Sequence, residues 1–272
     1  MSNNPLKNYF RKPALTIKLP SGGQGYKEGA LQLPESGELS IYPMTAMDEI
    51  NVKTPENLTN GNAVVGLVRS CIPDIKDPWE ILSTDLDTLL LGIRIATTGK
   101  MLKVETECPN CSAENKHDIN VYDMLAAIGN SGYDQLLSLN GLSIKFKPLN
   151  YRQIMKANES QTQIQRKIDS IDEQTSEEAK LKISAEVIKE LNNMSFVLVG
   201  EAVEYIKTPD NVVFEKEFIR EFLENCDKDT FDKIKQTNLD LRAATDIKPV
   251  NLTCTSCNHE YEFSLDINVN SI

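Results

Sequence analysis

Between residues 13 and 43 short apolar alternations, ALTIKL and LQLPESGELSIYP, flank the turn-rich segment PSGGQGY, a pattern that predicts strands joined by tight turns. From Thr45 the spacing becomes helical through MTAMDEI. A second helix is expected between about Pro55 and Ile72, where Val64, Val65, Leu67, Val68 and Cys71 share one face before Pro73 stops it. STDLDTLLLGIRIATTGK is the densest apolar region. Ser83 or Thr84 can cap a helix that runs to about Thr97, Gly99 can end it, and Trp79 packs at its entrance after Pro78. The β-like LKVETE, Leu102 to Glu107, follows directly.

Further on, DINVYDMLAAIGNSGY reads as a short helix and LSIKFKPLNY as a strand. From Asn150 to about Glu224 the chain is rich in Gln, Glu and Lys and strongly helical, with few large apolar residues before Glu178. That part is either an exposed arm or one side of a helical hairpin. From Leu181 to Ile206 the residues Ile183, Val187, Ile188, Leu191, Met194 and Leu198 make an amphipathic face able to bury against the N-terminal domain or a partner. EKEFIREFLENC and KDTFDKIKQTNLDLRAA add two helices. The expected class is α+β, mostly helical with short antiparallel strands. Its expected parts are an N-terminal domain (1–149), a helical insert (150–247) and a C-terminal segment (248–272) that packs back on the first.

Composition narrows the function. The 272 residues carry 29 Lys and Arg against 40 Asp and Glu, a net charge of −11, so the average surface repels nucleic acid and anionic membranes. Two histidines leave little acid–base equipment near neutral pH, and HExxH, P-loop and GxSxG motifs are missing. No apolar run reaches the ~20 residues of a membrane span, and the polar, proline-punctuated N-terminus lacks a secretory h-region. The expectation is a protein of the cytosol with no membrane partner.

In a reducing compartment six cysteines point to metal ligands or free thiols. Four fall in two CxxC pairs, Cys108 with Cys111 and Cys254 with Cys257. Cys71 fits an apolar helix face, and Cys226 has no metal partner nearby. Each pair follows a β-like stretch, LKVETE or VNLT (Val250 to Thr253), and each precedes a copy of DINV, at Asp118 to Val121 and Asp266 to Val269. Strand, knuckle turn and returning strand make half of a zinc ribbon, and two halves supply the four soft ligands of a closed, structural Zn2+ site. The intervening chain far exceeds the ~15–20 residues of an ordinary ribbon, so a whole insertion separates the knuckles. A redox CxxC would sit at a helix N-terminus, whereas these precede β-like sequence. His117 and His259 could replace a cysteine ligand, but four thiolates already satisfy zinc, and both read as surface residues of the returning strands.

Other candidate chemistry is thin. Gly22, Gly23 and Gly25 could cradle a phosphate, yet no Lys-Ser/Thr follows and a hairpin or loop explains them better. Asp85 and Asp87 suit the dipole of the helix they begin, and without a nucleophile they make a poor catalytic pair. Arg94 reads as an ion-pair or partner-contact residue.

The order LPSGGQGY, IYPMTAMDEI, PENLTNGNAVVGLVRSCI, STDLDTLLLGIRIATTGK and CPNC resembles the T4-like bacteriophage baseplate protein family, whose members are described as baseplate hub assembly proteins or hub subunits. Its most specific parts are DxxxLLLxxR, from Asp87 to Arg94, and the CxxC one strand later. The resemblance implies a non-enzymatic role in building the baseplate hub through contacts with other phage tail or hub proteins, in the host cytoplasm and in the virion tail. A tail assembly chaperone that leaves before the particle is finished and a zinc-ribbon nucleic-acid factor are the alternatives; the net charge disfavours the second. A zinc hydrolase would need an open coordination position.

Overall fold

The computed structural model describes residues 4–54, 57, 60–171 and 176–265. The fold is mixed α+β with short antiparallel sheets, and it divides into two compact units, residues 1–130 with 245–272, and 131–244.

In the first unit strands β1 (Leu15–Ile17) and β2 (Leu39–Ile41) pair antiparallel, with Leu15 opposite Ile41 and Ile17 opposite Leu39. Helix α1 (Ala46–Val52) starts where Thr45 and Asp48 cap one another's backbone N–H groups, and α2 (Asn62–Cys71) follows Gly61. The helix start expected near Pro55 lies outside the described residues. Helix α3 (Ser83–Thr98) buries Leu89, Leu91 and Ile93 completely. Its apolar face reaches the strand pair at Gly92, where a Cβ would lie 3.2 Å from Ile17 Cδ1 and 3.6 Å from Ile41 Cγ1. Gly99, at φ 86°, ends α3 as expected. Its start differs from the expectation. Leu82 is the N-cap, and neither Ser83 nor Thr84 supplies a cap hydrogen bond; the acidic residue of the first turn, Asp85, is held by the glycine-rich turn instead.

Strand β3 (Met101–Glu107) then pairs with β4 (Glu114–Asn120), and β9 (Val250–Thr253) pairs with β10 (Glu260–Phe263). Residues 118–120 of the first DINV copy complete β4, and Asn120 accepts from the Tyr122 N–H to start α4 (Val121–Ala127). The second copy, Asp266 to Val269, lies outside the described residues. Leu91, Ile119, Val121, Met124 and Leu252 form a buried cluster on which Leu102, Val104, Tyr261, Phe263 and Leu265 pack, so the two β ribbons share one apolar core.

The second unit holds a four-stranded antiparallel sheet, β5 (Leu136–Leu139), β6 (Leu142–Phe146), β7 (Val203–Lys207) and β8 (Val212–Val213), hydrogen-bonded in that order. Helix α5 (Tyr151–Asp169), begun by a capping box of Asn150 and Gln153, packs on α6 (Glu177–Ala202), begun by Ser176. The polar segment is therefore one side of a helical hairpin. Helices α7 (Lys216–Asn225) and α8 (Lys228–Ala243) bring Ile219, Leu223 and Ile234 onto Ile144, Phe146, Val199, Val203 and Ile206. The Lys216 ammonium donates to the carbonyls of Gly200, Glu201 and Val203 and so closes the C-terminus of α6.

Two expectations for this unit change. The amphipathic run from Leu181 to Ile206 is not all helix, because Val203–Lys207 is a strand in which a shift of register lets Val203 and Ile206 both face inward, opposite Phe146 and Ile144 on β6. Nor is the α6 face uniform. Val187 is buried, whereas its neighbour Ile188 and, one turn further along, Leu191 are exposed. Among the described residues no helix is long and apolar enough to cross a membrane.

Candidate metal centre

Each CxxC sits in the loop that joins two antiparallel strands, and the two loops have the same backbone. In the first, between β3 and β4, Cys108 N–H donates to the Ala113 carbonyl at 3.0 Å and Ser112 N–H to the Cys108 carbonyl at 2.9 Å. In the second, between β9 and β10, Cys254 N–H donates to His259 at 2.9 Å and Asn258 N–H to Cys254 at 3.0 Å. The residue after each second cysteine takes the left-handed conformation, Ser112 at φ 54° and Asn258 at φ 56°. The matched sequence flanks thus correspond to matched turns.

The loops face one another. Cys108 Sγ lies 3.7 Å from Cys257 Sγ, Cys111 Sγ lies 3.7 Å from Cys254 Sγ, and all four sulfurs fall within 4.8 Å of one another. All four cysteines are free, and these separations are far beyond a disulfide's ~2.05 Å. They suit a tetrahedral ion instead: Zn–S bonds of ~2.3 Å place the sulfurs about 3.8 Å apart. Cys108 and Cys254, the first of each pair, are buried, while Cys111 and Cys257 are exposed.

Electrostatics make the cluster uneven. Burial raises the Cys254 thiol, but the backbone N–H groups of Cys257 and Ser256, the Asn115 amide and the Cys108 thiol outweigh it and bring the pKa down to about 6. Cys257 is also lowered, first by the Asn110 amide. At Cys111 the Ala113 N–H lowers the pKa, yet the sulfurs of Cys257, Cys254 and Cys108 crowd it up to about 12. Four adjacent thiolates repel, and a divalent cation is the natural compensation.

Around the sulfurs stand polar residues that CxxC spacing does not reveal. Asn115, fully buried on β4, accepts from both the N–H and the hydroxyl of Thr255 at 2.8 Å, and its amide donates to Ala113 O at 2.8 Å and Cys254 Sγ at 3.5 Å. The Tyr261 hydroxyl bonds Thr106 Oγ1 at 2.6 Å and His117 Nε2 at 3.2 Å. The signal for Asn115 was its register, since β4 alternation puts it on the inward face with His117 and Ile119. Neither histidine joins the sulfur cluster: His117 is half-buried against Tyr261, and His259 is exposed.

The other candidates resolve as structure. Asp85 Oδ1 accepts from Ser21 N–H at 2.9 Å, and Oδ2 accepts from the hydroxyls of Ser21 at 2.6 Å and Tyr26 at 2.9 Å. The glycine-rich turn therefore wraps a carboxylate of its own chain, with Gly22, Gly23 and Gly25 all at positive φ. Arg94 is buried and donates to the carbonyls of Gly99 and Met101, so it ties the end of α3 to β3, and among the described residues no carboxylate pairs with it.

Compared with known families, the chain matches the one described as T4 bacteriophage base plate protein over residues 12–270. The chain belongs to the T4 bacteriophage base plate protein family. No curated protein and no solved structure matches it. The base plate family match spans both units and both knuckles, well beyond the N-terminal stretch that carries the family-like motifs. In this base plate protein the family-like segments LPSGGQGY and STDLDTLLLGIR meet at Asp85, and CPNC meets CTSC at the sulfur cluster.

Proposed function

We propose that this base plate family protein is a non-enzymatic builder of the baseplate hub, acting in the host cytoplasm through contacts with other tail or hub proteins, and stabilised by one structural zinc. The observation that carries the metal reading is the convergence of Cys108, Cys111, Cys254 and Cys257 on one point at spacings that suit a tetrahedral ion. Zinc so held supplies folding free energy, because four sulfur ligands leave no position for water or substrate. The chain's own residues do the rest: two left-handed turns aim the thiols, and the apolar core beneath them fixes the ribbons.

For the partner contacts, α6 of the helical hairpin is the favoured surface. Leu181 and Ile188 are 72% and 60% exposed on one side of that helix, an arrangement a lone surface helix has no use for.

Zinc per chain, by elemental analysis of the native protein beside a Cys254→Ser/Cys257→Ser variant, tests the metal. One zinc that is lost in the variant together with thermal stability is the expected result; a metal-free native protein overturns it. Recovery of the protein in hub intermediates from infected cells tests the assembly role, and its exclusion from every such complex overturns that.

A further inference from the structure

The two knuckles reach one another by more than sulfur. Asn115 lies one strand residue beyond the first knuckle turn, yet both bonds to its carbonyl oxygen come from the second knuckle, from Thr255 N–H and Thr255 Oγ1, each at 2.8 Å. Its amide is anchored on its own side by Ala113 O and reaches across to Cys254 Sγ. Every polar atom of this side chain is used, and it is 1% exposed. A second asparagine of the first knuckle, Asn110, also points its amide at the second knuckle, 3.6 Å from Cys257 Sγ. The cross-knuckle side-chain N–H donors thus run one way, from the first loop to the thiols of the last.

We infer that Asn115 is a latch that pairs the two knuckles independently of the metal, holding the second knuckle's backbone through its carbonyl oxygen and orienting the Cys254 thiolate through its amide. The physical reason is the separation of the two acts. Thr255, itself exposed, is bound by hydrogen bonds that involve no metal ligand, and its partner Asn115 is buried where an unpaired amide is costly, so the pairing is specific before any ion is present. The donation to sulfur then does what an outer-shell partner does for a ligand: it fixes the direction of the thiolate and stabilises its charge. Asn115 is a positioning residue, and the orienting half of its role rests on the metal reading above; the pairing half does not.

The test uses the full chain, reduced and stripped of metal with a chelator, with amide hydrogen exchange read at Thr255 and along β9 and β10. The stripped wild type is expected to protect these amides, and stripped Asn115→Ala to lose at least ~10-fold of that protection at Thr255. Added zinc should restore pairing in Asn115→Ala. Co2+ titration against a competing chelator, followed through the thiolate-to-cobalt absorption band, should show ~10- to 100-fold weaker binding. Asn115→Asp separates the two acts, since a carboxylate still accepts from Thr255 but cannot donate to Cys254. It should keep the Thr255 protection and still lose Co2+ affinity. Equal exchange at Thr255 in stripped wild type and stripped Asn115→Ala overturns the latch, and unchanged Co2+ affinity in both variants overturns the orienting role. A wild type that binds neither zinc nor cobalt would defeat the metal reading, while the comparison at Thr255 would still decide the latch.

Discussion

Ser21 grips Asp85 twice, with its backbone N–H on Oδ1 and its hydroxyl on Oδ2, and so ties a glycine-rich turn to the first turn of α3 across 64 residues of chain. Tyr26 adds a third donor to the same carboxylate. Asp85→Ala leaves these donors buried without an acceptor and should cost roughly 2–4 kcal/mol in urea unfolding. Asp85→Asn should cost clearly less, because the two hydroxyls can turn to accept from the new amide. Equal losses for the two variants would mean that the carboxylate fills space and holds nothing.

The acid limb of stability should separate Asp48 from Asp85. Burial raises the Asp48 carboxyl, but donors from the Thr45 backbone and hydroxyl, the Ser70 hydroxyl and the Arg11 guanidinium together bring it below the usual carboxylate range. A lowered folded-state pKa means that the contribution is complete above the ordinary value and is lost as pH falls through the lowered one. Urea midpoints taken from about pH 6 to about pH 3 should therefore fall less steeply in Asp48→Asn than in wild type.

Asp85 has the opposite sign. Burial outweighs the Ser21 and Tyr26 donors and raises its carboxyl, so the folded state keeps a proton that the unfolded chain releases. Its own contribution to stability grows as pH falls through the raised value towards the ordinary one. Asp85→Asn removes that gain, and its difference from wild type should widen on acidification, as the same midpoints would show.

Gly92 marks how closely α3 approaches the strand pair. An alanine there is tight only against the methyl end of Ile17, at 3.2 Å, and touches Ile41 Cγ1 at an ordinary 3.6 Å, while its helix propensity is better by about 1 kcal/mol, so Gly92→Ala should lie within about 1 kcal/mol of wild type. Gly92→Val must displace both Ile17 and Ile41 and should lose ~1–3 kcal/mol in thermal or urea melts.

The exposed side of α6 should matter to partners and not to folding. A Leu181→Asp/Ile188→Asp variant should melt within about 0.5 kcal/mol of wild type, since both side chains already stand in water. Its recovery in hub intermediates from infected cells should drop sharply; undiminished recovery would move the partner surface elsewhere.

Much of this was legible in sequence because local chemistry and tertiary demand agree. Asn150 with Gln153 opens α5 where the composition changes, Gly99 ends α3, and VNLT is the whole of β9. The matched CxxC pairs announced matched turns, and their sulfurs do converge. Legibility fails where a long-range partner decides. Val203 to Lys207 continues a helical run in sequence and becomes a strand because β6 is there to pair with. Leu82 replaces the expected Ser83 or Thr84 cap because the turn at residues 21–26 secures this helix entrance from afar. Arg94 carries a charge that sequence assigns to an ion pair or a partner, and the carbonyls that hold it belong to the next turn and strand. For Asn115 the β4 alternation marks only an inward position, and its role stays hidden because its main partner, Thr255, lies 140 residues away.

That distance has a consequence in time. The first unit is interrupted by the whole of the second, and Cys111 and Cys254 are 143 positions apart, so a ribosome adding ~5–20 residues per second needs roughly 7–30 s between them. Throughout that interval the helical hairpin and its sheet can fold on local contacts, while Cys108 and Cys111 remain a bare dithiol on an unfinished ribbon. Closure of the first-made unit therefore waits until the whole second unit has been made, which makes the sulfur cluster a late checkpoint on translation through Cys257.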